Sequence, residues 1–135
     1  MKGFPLKIVT PDGVRFDGTA QQVRVRTTTG DVAILANHIN YVAPLGMGEA
    51  CVICDDAPRF GACIGGMISV TDGSVILLPT TFEWADDIDA RRAEASKDRA
   101  EKILAKKDVT DMELKLAEAR LKRALIRKDV AQRHG

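Results

Sequence analysis

Helix-breaking residues stop abruptly in this chain. All five prolines and ten of the eleven glycines lie in residues 1–85, and the remaining glycine is the last residue, Gly135. All six aromatic residues and all three cysteines fall in the same segment. Residues 86–135 are rich in Ala, Leu, Lys, Arg and Glu, the residue types that cost least in a helix. Glycine and proline punctuate short strands and turns, and they interrupt helices. The break near Asp86 therefore predicts an α+β chain. Residues 1–85 form a β-sandwich or flattened barrel, and residues 86–135 follow as an antiparallel two-helix hairpin.

Strand and turn signals alternate through the first part. Leu6–Thr10 runs into Pro11-Asp12-Gly13, where proline presets φ and glycine accepts a positive one. Val14-Arg15-Phe16 reads as a strand ending at Asp17-Gly18. Gln22–Thr27 alternates with a period of two, so one face is buried and the other wet. Val32–Ala36 follows Gly30-Asp31. Ala50–Cys54 and Phe60–Ile64 flank Asp55-Asp56-Ala57-Pro58, and Met67–Thr71 and Val75–Leu78 flank Asp72-Gly73. Both arrangements read as hairpins, the second with the Asp-Gly pair that a tight two-residue turn favours.

Residues 86–135 carry two helical patterns. Asp86 or Asp87 is the expected cap of the first, whose apolar and small positions are Ile88, Ala93, Ala100 and Leu104. Thr110-Asp111-Met112-Glu113 is a capping box, and Leu114, Ala117, Leu121, Ala124 and Leu125 form the stripe of the second helix. A connector of about four residues favours an antiparallel pair. Both stripes are narrow and alanine-rich, so the hairpin buries little area and its packed state is only marginally favoured.

Charge narrows the function. The chain carries +1 overall, too balanced for a dedicated nucleic-acid binder. The excess is local: residues 1–85 carry −2, residues 86–135 carry +3, and the segment from Lys115 onward carries +5. That last segment seeks an acidic partner or a phosphate. No G-x-x-x-x-G-K-[ST] loop is present, so bound nucleotide is not expected to be hydrolysed here. Cys51-Val52-Ile53-Cys54 has redox or zinc spacing. In a strand, however, a separation of three sends the thiols to opposite faces, and the cysteines read as structural. Gly65-Gly66 reads as a turn or bulge. No catalytic centre is legible, and no metal or required cofactor is expected. The longest apolar runs, Val32–Ala36 and Val75–Leu78, are far short of the ~20 residues that span a bilayer. Met1–Pro5 lacks the apolar stretch of a signal peptide, so the chain is expected to stay in the cytosol.

The order of segments resembles the epsilon subunits of F-type ATP synthases over nearly the whole length. Ile8-Val9-Thr10-Pro11-Asp12-Gly13 is similar to that family's opening strand and turn. Gly30–His38 resembles its G-[ED]-x-G-[IVL]-L-P-x-H loop, with Ala33 in place of a glycine and Ala36 and Asn40 where prolines are usual. Gly65–Val70 resembles its G-G-F-x-x-V hairpin, and Ile88–Ala93 its I-D-x-x-R-A helix start. The resemblance implies a non-catalytic rotor subunit of the central stalk that couples proton flow to ATP synthesis. It places the sandwich on the gamma subunit and the c-ring, and the chain at the cytoplasmic face of the cell membrane, peripheral and held through the complex. It implies mobile C-terminal helices that inhibit ATP hydrolysis by meeting acidic loops of the catalytic beta and alpha subunits.

Some relatives of this kind bind regulatory ATP on the folded hairpin. Carried onto this chain, that pattern implies Glu83, Ile88, Asp89, Arg92, Ala93, Arg99, Arg123 and Arg127 as ATP-binding residues, with Leu116 where a further arginine is common. Asp31, His38, Lys122, Arg123 and Arg127 are the implied subunit contacts. Guanidinium forks suit phosphate oxygens, which makes the chemistry of such a site sound. The rival readings are a basic helical module for nucleic acid or an adaptor, and a free-standing enzyme.

Overall fold

A computed structural model describes residues 2–135. The chain divides into two compact units, one ending at Trp84 and one spanning Ala85–Gly135. The first unit holds ten strands: β1 (Phe4–Thr10), β2 (Gly13–Ala20), β3 (Gln22–Thr27), β4 (Gly30–Leu35), β5 (Tyr41–Pro44), β6 (Met47–Cys54), β7 (Ala57–Ile64), β8 (Met67–Thr71), β9 (Ser74–Leu78) and β10 (Thr81–Trp84). They form two five-stranded sheets, ordered β2-β1-β9-β8-β5 and β10-β7-β6-β3-β4. The β1–β9 pair is parallel, and the other pairs are antiparallel.

The core explains the layering. Leu6 and Ile8 of β1, Ile68 and Val70 of β8, and Val75 and Leu77 of β9 come from one sheet. Val23 and Val25 of β3, Ile34 of β4, Val52 of β6 and Phe82 of β10 come from the other, and all join one buried cluster. Alternation along each strand turns every second side chain inward, so two sheets close over a shared core as a sandwich. The fold class expected above is the one observed.

Local readings changed at Asp17-Gly18, at two added strands, and at Ala57-Pro58, which pair with Cys54 and Ile53 as the start of β7 rather than lying in the loop. Asp17-Gly18 is not a turn: Lys7 pairs with Asp17 and Leu6 with Gly18, and β2 runs on to Ala20. A ladder partner on β1 outweighs the local turn preference of the dipeptide. Strands β5 and β10 are additions to the strand signals. The turns at Asp55-Asp56 and Asp72-Gly73 form as two-residue loops, closing Cys54↔Ala57 and Thr71↔Ser74 with positive φ at all four positions.

The second unit opens with a short 3-10 turn at Ala85–Asp87, followed by α1 (Ala90–Leu104) and α2 (Asp111–His134). Asp86 and Asp87 fall in that turn and cap nothing. The α1 N-cap is Asp89, whose Oδ1 accepts the backbone N–H of Arg92 at 3.1 Å. The Thr110 capping box forms, with Thr110 Oγ1 accepting the Glu113 N–H at 3.1 Å. The helices pack on each other, with Ala93 and Ala100 of α1 and Ala117, Ala124 and Val130 of α2 buried. Each alanine pair is seven residues apart and so keeps one face of its helix. Lys128 near the end of α2 reaches Glu94 near the start of α1 at 2.9 Å, which makes the pair antiparallel. Leu125 is exposed rather than part of the seam, and Val130 takes a buried place further along.

Candidate functional site: an arginine groove on the helical hairpin

The antiparallel register brings the second half of α1 alongside the middle of α2. Ser96, Arg99, Ala100 and Ile103 from α1 and Arg120, Arg123 and Arg127 from α2 line one groove of about 280 Å³. Spacings of three and four residues put each set on one helix face. Ala100 and Ile103 offer apolar surface for the arginine stems, which leaves the guanidinium heads to polar ligands.

The wall holds four guanidiniums and no carboxylate. Three acids of the two helices pair with lysine or arginine outside the wall: Glu94 with Lys97 at 3.3 Å and Lys128 at 2.9 Å, Glu101 with Lys97 at 3.2 Å, and Asp129 with Arg133 at 3.4 Å. Hydrogen bonds from Lys128 and then Lys97 hold the Glu94 carboxyl below its usual range. Among the described residues, no carboxylate lies within ion-pair distance of Arg99, Arg120 or Arg123. A groove lined by arginines at helical spacing offers guanidinium forks of the chemistry that suits a polyanion with several oxygens.

The residues expected for ATP divide into groups. Arg99, Arg123 and Arg127 line the groove. Ile88, Asp89, Arg92 and Ala93 sit at the start of α1 and are not in its wall. Asp89 spends its side chain on the cap, Ala93 is buried in the seam and Arg92 is exposed. Glu83 lies on β10 opposite Ala62 of β7, in the other unit. Arg120, Ser96 and Ile103 are lining residues that the sequence reading missed. Arg120 stands three residues before Arg123, and that spacing alone marks it as sharing the face.

The expected subunit contacts lie on both units. Asp31 Oδ1 accepts the Arg26 Nε–H at 2.7 Å across the β3–β4 hairpin, and this bond raises the Arg26 pKa further. His38 Nδ1 lies 2.7 Å from the Ile39 carbonyl oxygen, which makes Nδ1 the protonated nitrogen. The His38 ring meets Tyr41 edge-on at 5.9 Å. Lys122 is exposed on α2.

One surface of the sandwich was not foreseen. Val42, Ser69 and Ile76 are in register across β5, β8 and β9, as are Pro44, Met67 and Leu78 in the next row on that face. Val42, Ile76, Met67 and Leu78 are exposed large apolar side chains on this outer face, and Ile39, 77% exposed, precedes β5.

The cysteines hold no ligand set. All three are free, Cys51 and Cys63 are buried, and burial pushes the Cys63 thiol up to about 12. No group of three potential metal ligands occurs among the described residues.

Comparison with known proteins agrees with this architecture. Residues 3–85 match the family model for the ATP synthase Delta/Epsilon chain beta-sandwich domain, and residues 86–132 match that for its long alpha-helix domain. The ATP synthase epsilon chain of Ruminococcus albus is 40% identical over 134 residues, covering 98% of this chain and 99% of that one. The epsilon chain of Bacillus velezensis is 40% identical over 131 residues, covering 97% and 98%. A chain in the structure of the Euglena gracilis mitochondrial ATP synthase shares the fold with a TM-score of 0.82 at 18% identity, covering 98% of this chain and 82% of that one. Sandwich and helical pair both match, in order and over nearly the full length, so the chain belongs to the ATP synthase delta/epsilon-chain family.

Proposed function

We propose that the chain is a central-stalk rotor subunit of an F-type ATP synthase, without a catalytic site of its own. The sandwich is the foot of the stalk and binds the gamma subunit and the c-ring. The exposed apolar rows on β5, β8 and β9, with Ile39 and His38 beside them, supply a docking face of the required chemistry. Among the described residues no helix is long and apolar enough to cross a membrane, so membrane association runs through the complex, at its cytoplasmic face. The helical unit is the regulatory arm. In an extended state its basic α2 meets acidic loops of the catalytic subunits and blocks hydrolysis, and the hairpin releases them.

ATP bound to the hairpin favours the released state. The observation that carries this reading is the groove of Arg99, Arg120, Arg123 and Arg127, which exists only when α1 and α2 are paired. A ligand that binds one conformer stabilises it by about 2.7 kcal/mol at a hundredfold excess over its Kd, which is ample for a thin alanine seam. Hydrolysis by the assembled complex tests the regulatory role. Removal of residues 86–135 raises the rate, whereas an unchanged rate overturns it. Calorimetric titration of the full chain with ATP tests the sensor. Heat that disappears in Arg99→Ala and Arg123→Ala supports it, and heat that persists in both variants removes it.

A further inference from the structure

The dipeptide Asp-Gly occurs three times, at Asp12-Gly13, Asp17-Gly18 and Asp72-Gly73. Aspartate followed by glycine is the pair best suited to attack by the chain's own backbone. The amide nitrogen of the next residue can reach the side-chain carboxyl carbon, and glycine has no Cβ to obstruct the approach. Ring closure requires that nitrogen to swing out of its place in the fold, so backbone pairing controls the rate. Two of the three glycines are tied to β1: Gly13 pairs with Thr10, and Gly18 with Leu6. The Thr10 hydroxyl donates to the Gly13 carbonyl at 3.1 Å and accepts the Asp12 N–H at 3.2 Å. Asp72 and Gly73 differ. They form the loop between Thr71 and Ser74, the closing pair of the β8–β9 ladder, and stand outside that ladder. Asp72 is exposed and has φ 49°, a left-handed conformation that disfavours residues other than glycine. Asn40 Oδ1 accepts the Asp72 N–H at 2.9 Å and tethers this tip to the segment before β5.

We propose that Asp72-Gly73 is a site of spontaneous modification in the folded chain, where aspartate becomes isoaspartate, and that pairing with β1 protects the other two dipeptides. The Gly73 nitrogen forms a bond to the Asp72 side-chain carboxyl carbon. One carboxyl oxygen leaves with two protons as water, and a five-membered succinimide results. Water then adds to one of the two ring carbonyls. Opening at the side-chain carbonyl restores aspartate. Opening at the main-chain carbonyl leaves the backbone running through the former side chain, with one extra methylene and a free α-carboxylate. The longer backbone no longer fits a two-residue loop that closes Thr71 on Ser74, and it displaces the amide that Asn40 holds. The consequence reaches β5, the edge strand whose ladder partner is β8. Modification therefore loosens the strands that carry Val42, Met67, Ile76 and Leu78, the exposed apolar rows.

The test is prolonged incubation of the full chain at neutral pH, followed by methyl labelling with an isoaspartyl carboxyl methyltransferase and peptide mapping. The expected result is label at Asp72 at least about tenfold above that at Asp12 or Asp17. In strong denaturant the three dipeptides take up label at similar rates, because the ladder that holds Gly13 and Gly18 is gone. Asn40→Ala, which frees the Asp72 amide, speeds labelling of the native chain at this site. Asp72→Asn keeps a residue that tolerates the left-handed turn and labels faster, because ammonia leaves in place of water. Asp72→Glu, which requires a six-membered ring, loses the label. Circular dichroism checks that the variants keep the sandwich. Label spread evenly over the three dipeptides of the native chain, or concentrated at Asp12 or Asp17, overturns the proposal. So does a native chain without label at Asp72, because the turn then protects its own dipeptide. An unchanged rate in Asn40→Ala overturns the role given to the tether.

Discussion

Gly66 has φ +95°, and a Cβ there would run into the Leu78 carbonyl oxygen and lie 2.7 Å from Pro79 Cα. Backbone strain and a backbone clash act together, so Gly66→Ala is expected to cost about 3 kcal/mol or more, read as a lower denaturant midpoint of the sandwich. Cys63 makes a different kind of prediction. Its thiol is raised to about 12 by burial, so below the ordinary thiol range folded and unfolded chains hold the same proton. Above that range the unfolded chain releases the proton first, and stability falls as pH rises towards the folded value. Denaturant midpoints measured from neutral pH to about 11 should fall more steeply for the native chain than for Cys63→Ala. The half-buried Cys54 should react with an alkylating reagent before either buried thiol. The opposite faces read for Cys51 and Cys54 were legible from strand period alone. The demand for glycine at position 66 was not, because it comes from Leu78, twelve residues away on β9.

Among the elements, the helical hairpin combines good local signals with weak packing. Asp89 and Thr110 cap its helices, and α2 has an estimated length of ~36 Å against ~22 Å for α1. The seam between them is mostly alanine, and the ion pair Lys128–Glu94 bridges it near the start of α1. Glu94 is held below its usual range by Lys128 and Lys97, so this link is fully present above the ordinary glutamate range. It is lost as pH falls through the lowered value. Hydrogen exchange of the α2 amides should therefore quicken below that range, and Lys128→Ala should show the quicker exchange already at neutral pH. Helix existence and the Thr110 cap could be read from sequence because both are local. Choosing Asp86 or Asp87 as the first cap failed because a 3-10 turn intervenes and delays α1 to Ala90. Leu125 and Val130 changed places because the seam follows the partner helix rather than an ideal stripe.

For the whole molecule, the outer face of β5, β8 and β9 separates stability from assembly. Ile76 is 39% exposed there, in register with Val42 through Ser69. Ile76→Asp is expected to leave the melting temperature of the isolated chain within a few degrees and to weaken the proposed complex with the gamma subunit by about tenfold or more. Co-purification and titration of the two subunits check this, and an intact complex would move the docking face elsewhere. What sequence alone determined is what depends on near neighbours: the change from strand to helix near residue 86, the hairpin turns, the Thr110 cap and the basic excess of the last segment. Tertiary structure decided what depends on pairing. Strand β5 exists because β8 lies beside it, Asp17-Gly18 stays extended because β1 does, and Arg120 rather than Arg92 joins Arg99 in the groove wall. Side chains from two helices converge according to the register between them, and periodicity within either helix carries no information about that register.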